Sequence, residues 1–171
     1  HPLNYALGIA KAAISAGAKI YENSPALSYK VNDDHVKVIT KEGSIKAARV
    51  VLACNGYLDN LEKSLTSKIL PMNNYIVATK PLDNQTIQKI NPRDIAFADS
   101  RFVINYFRLS VDNRLLFGGG ENYSQELSSN IIPIVTKPLE KIYPFLKGVK
   151  IDYAWGGKLA ITMNRLPFFK T

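Results

Sequence analysis

The sequence is poor in the residues that build metal centres and covalent cross-links. Cys54 is the only cysteine, and His1 and His35 are the only histidines. No internal disulfide can therefore form, no metal-ligand cluster is visible, and a reducing cytoplasm fits the lone thiol. No apolar run approaches the roughly 18 residues needed to cross a bilayer, so no membrane span is expected. A charged-then-apolar leader with a small-residue cleavage site is also missing. The chain opens on His1-Pro2 without an initiator methionine, which suggests an excised segment or a processed product.

The arrangement of the glycines is informative too. Gly118-Gly119-Gly120 is the one glycine cluster, and it lacks the Lys-Ser/Thr pair of a P-loop. Tyr123 stands where a third dinucleotide-loop glycine would fall, and G-x-G-x-x-G occurs nowhere. A tight turn or close backbone packing is the reading this cluster supports.

What is present is the balance of one globular domain: 171 residues, 46% hydrophobic and 21% charged. The net charge of +8 raises the question of a nucleic-acid partner. The basic residues are scattered, however, with no dense stretch and no aromatic-basic motif, so a lysine-rich surface is favoured and no nucleic acid is expected.

Pro2 suits the first turn of a helix, Leu3, Leu7, Ala10 and Ile14 recur at helical spacing, and Gly17 is placed to stop it in a left-handed conformation. Strands are predicted at 18–22, 25–31 and 35–40, with Asn32-Asp33-Asp34 as a turn. A further strand over 44–54 ends in Val50-Val51-Leu52-Ala53, an unbroken run that suggests burial on both faces. In the second half, 57–67 and 84–91 read as short helices. Strands are predicted at 69–80, 94–98, 102–110, 114–119 and 150–157, with a helix over 128–146 limited or kinked by Pro133 and Pro138. The fold class is α+β: a central, mainly antiparallel sheet with flanking helices, preceded by a small β-meander and a return strand.

Alternation along 102–110 puts Ile104, Tyr106 and Arg108 on one face and Val103, Asn105, Phe107 and Leu109 on the other. Tyr106 beside Arg108 could bind a carboxylate through a hydroxyl and a guanidinium fork. An arginine snorkelling from a sheet edge with its stem on the tyrosine explains the same spacing, and spacing alone slightly favours it. Tyr153 and Trp155 share a face, with Gly157 next in line. Room for a flat ligand and an aromatic core cluster are both compatible with that, the cluster being commoner. Cys54 reads as a buried small residue, since no histidine lies nearby in sequence to activate it.

The opening HPLNYALGIA with Gly17-Ala18-Lys19-Ile20-Tyr21-Glu22 and Ser24 resembles a stretch of the D-amino acid oxidase superfamily. Val50 to Gly56 resembles the return strand of that family's FAD domain. Tyr106-Phe107-Arg108 with Arg114 to Gly119 resembles its hairpin, and Trp155-Gly156-Gly157 with Thr162 and Arg165-Leu166-Pro167 resembles its segment near the flavin. The nearest subgroup is that of gamma-glutamylputrescine oxidase and glycine/D-amino acid oxidase-like proteins.

The resemblance implies a flavin-dependent amine oxidase acting on a small-molecule amine or amino acid. A hydride leaves the substrate α-carbon for FAD, the imine hydrolyses to an aldehyde or oxo acid, and oxygen yields hydrogen peroxide. By the same resemblance, residues 1–56 belong to the FAD-binding part, and 57–171 form a substrate-binding domain truncated at its C-terminus. Ala26, Ala53, Cys54, Asn55 and Gly56 are then candidate cofactor-flanking positions. Tyr106, Arg108 and Trp155 are candidates for the substrate wall, with no catalytic residue assigned. Leu159 stands nearest the place where glycine oxidases carry a carboxylate-binding arginine, which favours an amine without an adjacent carboxylate. The isolated chain is expected to be inactive and to hold FAD weakly or not at all. A flavin D-amino acid dehydrogenase and a non-catalytic binding domain of the same architecture are the alternatives.

Overall fold

A computed structural model describes residues 1–124, 126–166 and 169. The chain divides into two compact units, His1–Leu52 and Ala53–Thr171.

The first unit is a helix and a meander. Helix α1 spans Pro2–Ser15, and its N-terminus is capped by the His1 ring, whose Nδ1 accepts the Asn4 N–H at 3.2 Å. Gly17 takes the left-handed conformation at φ 93°, which costs a glycine nothing. Strands β1 (Ser28–Val31), β2 (Val36–Ile39) and β3 (Ser44–Ala47) form an antiparallel sheet in chain order. One predicted strand is not formed and another is cut short. Residues 18–22 carry none, and the strand expected over 44–54 stops at Ala47, leaving Val51 86% exposed. An apolar run becomes a strand only where a neighbour receives its N–H and C=O groups, and no described strand pairs with 48–54.

The second unit is built on five strands: β4 (Ile69–Thr79), β5 (Phe97–Ala98), β6 (Tyr106–Leu109), β7 (Leu115–Asn122) and β8 (Ile151–Thr162). Their order is β5-β6-β7-β4-β8, all neighbours antiparallel. Helices α2 (Lys63–Thr66), α3 (Asn84–Ile90) and α4 (Ile132–Ile142) complete it. The helix predicted over 57–67 is a 3₁₀ turn at Asn55–Tyr57 followed by the single turn of α2. The one predicted over 128–146 begins at Ile132 with Pro133 in its first turn and breaks before a 3₁₀ turn at Pro144–Leu146.

Alternation sorts the sheet into two faces. One carries Tyr75, Val77, Leu109, Leu115 and Phe117, which pack with Ile90 of α3, Val135 and Leu139 of α4, and Leu146. Phe97, Phe107 and Phe117 stack in series with centroids 5.1 and 5.4 Å apart, and Tyr143 meets Phe107 edge-on. The other face has no helix packed on it among these core contacts, and Arg108, Tyr153 and Trp155 stand exposed there.

Candidate functional site: the open face of the five-stranded sheet

Strand register sets which side chains on the open face are neighbours. Tyr106 pairs with Gly118, Gly118 with Ile76, and Ile76 with Trp155. These four residues form one row across β6, β7, β4 and β8, roughly 14 Å from end to end at the usual strand spacing. The next row is Arg108, Leu116, Ala78 and Tyr153, and on the other side lie Glu121, Asn74 and Gly157. Tyr106, Arg108 and Trp155 are thus brought to one face, with Tyr106 and Trp155 at the two ends of a row.

The glycines of β7 explain how Tyr106 sits. A Cβ on Gly118 would lie 2.1 Å from the Tyr106 ring, so the ring lies directly on the β7 backbone. Close packing also holds Gly119, whose Cβ would meet Asn105 Oδ1 at 2.7 Å. Gly120, at φ 73°, lies where the register with β4 slips between Asn74 and Ile76. The cluster lies inside a strand that continues to Asn122, past the end expected near 119, and its close packing is the role expected for it.

The Tyr106 hydroxyl donates to Asn74 Oδ1, and burial pushes its phenol up, so it remains protonated at neutral pH. Arg108 turns its Nε onto the Leu109 carbonyl at 3.1 Å and is otherwise exposed. Trp155 is 43% exposed and Tyr153 more so, which takes both out of the aromatic core cluster that their spacing also allowed. Arg114 covers Tyr153 at 5.1 Å and ties three strands, donating to Thr79 O at 3.0 Å and Asp152 Oδ2 at 2.6 Å.

The cofactor-flanking candidates fall in different surroundings. Ala26 is exposed between α1 and β1. Ala53 is exposed and Cys54 half-buried, just before the 3₁₀ turn at Asn55–Tyr57. That turn seals the outer edge of β8: the Ala160 N–H donates to Asn55 Oδ1 at 2.9 Å, and the Lys158 N–H to Tyr57 Oη at 3.0 Å. Asn55 adopts φ 50° to do this, and a Cβ on buried Gly56 would lie 2.8 Å from the Lys158 backbone. A recess of about 540 Å³ opens beside the turn, lined among others by Gly56, Asp59, Pro71, Glu126 and Lys158.

Sequence reasoning missed the asparagines of β4. Buried Asn73 donates through Nδ2 to Asn122 Oδ1 at 2.7 Å and to the Ser124 and Glu126 carbonyls at 2.9 Å. Tyr75 Oη accepts from Asn122 Nδ2 and from the Ser128 N–H. Two adjacent asparagines inside an apolar strand were the available signal, because asparagine is depleted in strands.

A sheet covered by helices on one side, with aromatic and hydrogen-bonding side chains exposed on the other, sets the fold of the second unit. That fold is found in L-proline dehydrogenase from P. horikoshii, which superposes with a TM-score of 0.73 at 23% identity over 95% of this chain and 44% of that one. The class is a flavoprotein oxidoreductase fold, with mixed helix and antiparallel sheet. Residues 1–171 match the family model described as FAD dependent oxidoreductase (DAO), and the chain belongs to that family. It is 41% identical over 168 residues to "Probable oxidoreductase OrdL" of Rhizobium meliloti, covering 98% of this chain and 39% of that protein. It is 35% identical over 170 residues to "Gamma-glutamylputrescine oxidoreductase" of Escherichia coli, covering 99% and 40%. The chain therefore spans about two fifths of the length of these relatives.

The described residues fit one end of FAD better than the other. Beside Gly157 an added Cβ would meet only Tyr57 Oη at 3.5 Å, so a flat ring can approach the backbone there. The glycine cluster offers the pyrophosphate no such space, because among the described residues Tyr106, Asn105 and Ile134 fill it. Among the described residues no group of three or more His, Cys, Asp or Glu could hold a metal, and no helix is long and apolar enough to cross a membrane.

Proposed function

We propose that this chain is the substrate-side part of a flavin-dependent amine oxidoreductase acting on a primary or secondary amine of the gamma-glutamylputrescine kind. The observation that carries the reading is the cross-sheet row of Tyr106, Gly118, Ile76 and Trp155 on an open face. FAD, when bound, supplies the two-electron acceptor for the amine's α-carbon. The chain's own residues bind and orient. Trp155 and Ile76 give the substrate an apolar wall that excludes water, Tyr106 meets it with a hydroxyl, and Arg108 holds a distant anionic group.

In this reading residues 1–56 belong with the FAD-binding part and 57–171 with the substrate-binding part. Ala26, Ala53 and Cys54 flank the cofactor, while Asn55 and Gly56 contribute by anchoring that corner to β8. With no dinucleotide fingerprint in its sequence, the 171-residue chain alone binds FAD poorly and turns over no amine.

The test is an anaerobic titration of the full-length flavoprotein with gamma-glutamylputrescine. Bleaching of the flavin absorbance, with aldehyde formed and peroxide released in air, is expected. A flavin that stays oxidised with every primary and secondary amine tried overturns the reading. Bleaching without peroxide, and turnover with an artificial acceptor, would make the enzyme a dehydrogenase instead.

A further inference from the structure

Tyr106 can meet a ligand either as a hydrogen-bond donor, suited to a carboxylate, or as an acceptor, suited to an ammonium. Its surroundings decide between the two. The hydroxyl proton is committed to Asn74 Oδ1. The Asn74 amide is in turn oriented by the bulge of β7, where its Nδ2 faces the Gly120 carbonyl at 3.5 Å. Flipping that amide would set Oδ1 against the Gly120 oxygen, two acceptors facing each other, so the amide oxygen is the end presented to Tyr106. Gly118 removes the remaining freedom, because the ring rests on its backbone.

We infer that Asn74 fixes Tyr106 as a hydrogen-bond acceptor, so that this part of the open face recognises the ammonium end of a substrate and rejects a carboxylate. The inference rests on the proposed amine substrate and names which end of it lies here. One further feature agrees with it. Glu121 is the register partner of Asn74 and brings a carboxylate to the adjacent row, where the Tyr123 hydroxyl donates to it at 2.8 Å. Arg108 lies on the opposite side of the Tyr106 row, two residues along β6 or roughly 7 Å at the strand rise, while the Tyr106 hydroxyl turns toward Asn74. The charges of an α-amino acid are two bonds apart and fall short of that spacing; an amine with a remote carboxylate can cover it. Asn74 is thus a positioning residue acting through Tyr106.

The test is calorimetric binding of n-butylammonium and of butanoate to the full-length protein, its Tyr106→Phe, Asn74→Leu and Asn74→Asp variants, with thermal midpoints measured alongside. The wild-type protein is expected to favour butylammonium. Tyr106→Phe should weaken butylammonium by about tenfold, the loss of one hydrogen bond to a charged group, and leave butanoate unchanged. Asn74→Leu frees the hydroxyl to donate and should bring the two ligands near parity. Asn74→Asp keeps an acceptor for that hydroxyl and should retain the preference. A wild-type preference for butanoate, or butylammonium binding untouched by Tyr106→Phe, overturns the inference, as does a full preference surviving Asn74→Leu. Tyr106→Phe keeps the ring on Gly118 and decides the matter if Asn74→Leu does not fold. Because binding is read without turnover, an amine that binds as expected but never reduces the flavin defeats the proposed function alone.

Discussion

The two faces of the five-stranded sheet are made by the same strands, yet they do different work. On the covered face Tyr75, Val77, Leu115 and Phe117 are wholly buried and meet α3, α4 and one another. On the open face, one residue along each strand, stand Asn74, Ile76, Leu116 and Gly118, with Tyr106, Arg108 and Trp155 in their rows. Burying the first set supplies stability through apolar area removed from water. The second set leaves aromatic surface and hydrogen-bonding groups turned outward, an arrangement with little stabilising value unless something binds. The period of two thus separates stability from recognition within single strands.

Breaking the covered face should cost most. Phe117→Ala removes the fully buried end of the three-phenylalanine stack and is expected to destabilise by about 3–5 kcal/mol, read as a shifted denaturation midpoint. Gly118→Ala, the neighbouring residue on the other face, should act on the site instead. Its methyl cannot coexist with the Tyr106 ring as placed, so the proposed amine oxidation by the full-length protein should fall at least about tenfold. Its stability loss should stay within the about 1–3 kcal/mol of an overpacked position. Tyr75→Phe keeps the buried ring but strands the Asn122 amide and the Ser128 N–H, and should cost about 1–3 kcal/mol. Arg108→Ala, fully on the open side, should leave stability within about 0.5 kcal/mol while weakening substrates that carry a remote anion.

The smallest effect concerns pH and lies at the end of α3, off the sheet. The Thr86 N–H, and then its hydroxyl, hold the Asp83 carboxyl below its ordinary value. Folding therefore gains from this cap above the ordinary carboxylate pKa, and the gain disappears as pH falls through the lowered one. Asp83→Asn should flatten the acid limb of the stability profile slightly, and an unchanged limb would mean the cap contributes nothing.

Much of this division was legible in the sequence. Alternation over 102–110 assigned Tyr106 and Arg108 to one side and Phe107 and Leu109 to the other, and Tyr153 with Trp155 to a shared face. The helix stop at Gly17 and the long strand from 69 were equally plain. Register was not legible, because pairing distant strands depends on the assembled sheet, so the row joining Tyr106 to Trp155 could not be read in advance. Val50 to Ala53 misled for a related reason: the run is apolar enough for a strand, but a strand also needs a neighbour. Asn74 was missed because its role depends on Gly120, 46 residues away, whose carbonyl orients its amide.

The most direct measurement is a crystal structure of the full-length protein holding a primary amine. The amine nitrogen is expected on the open face, within hydrogen-bond distance of Tyr106 Oη, with the Asn74 amide oxygen still bound to that hydroxyl. An amine seated instead in the recess beside Gly56 and Lys158, or a carboxylate accepting from Tyr106, would contradict the assignment of the open face as the site that reads the amine.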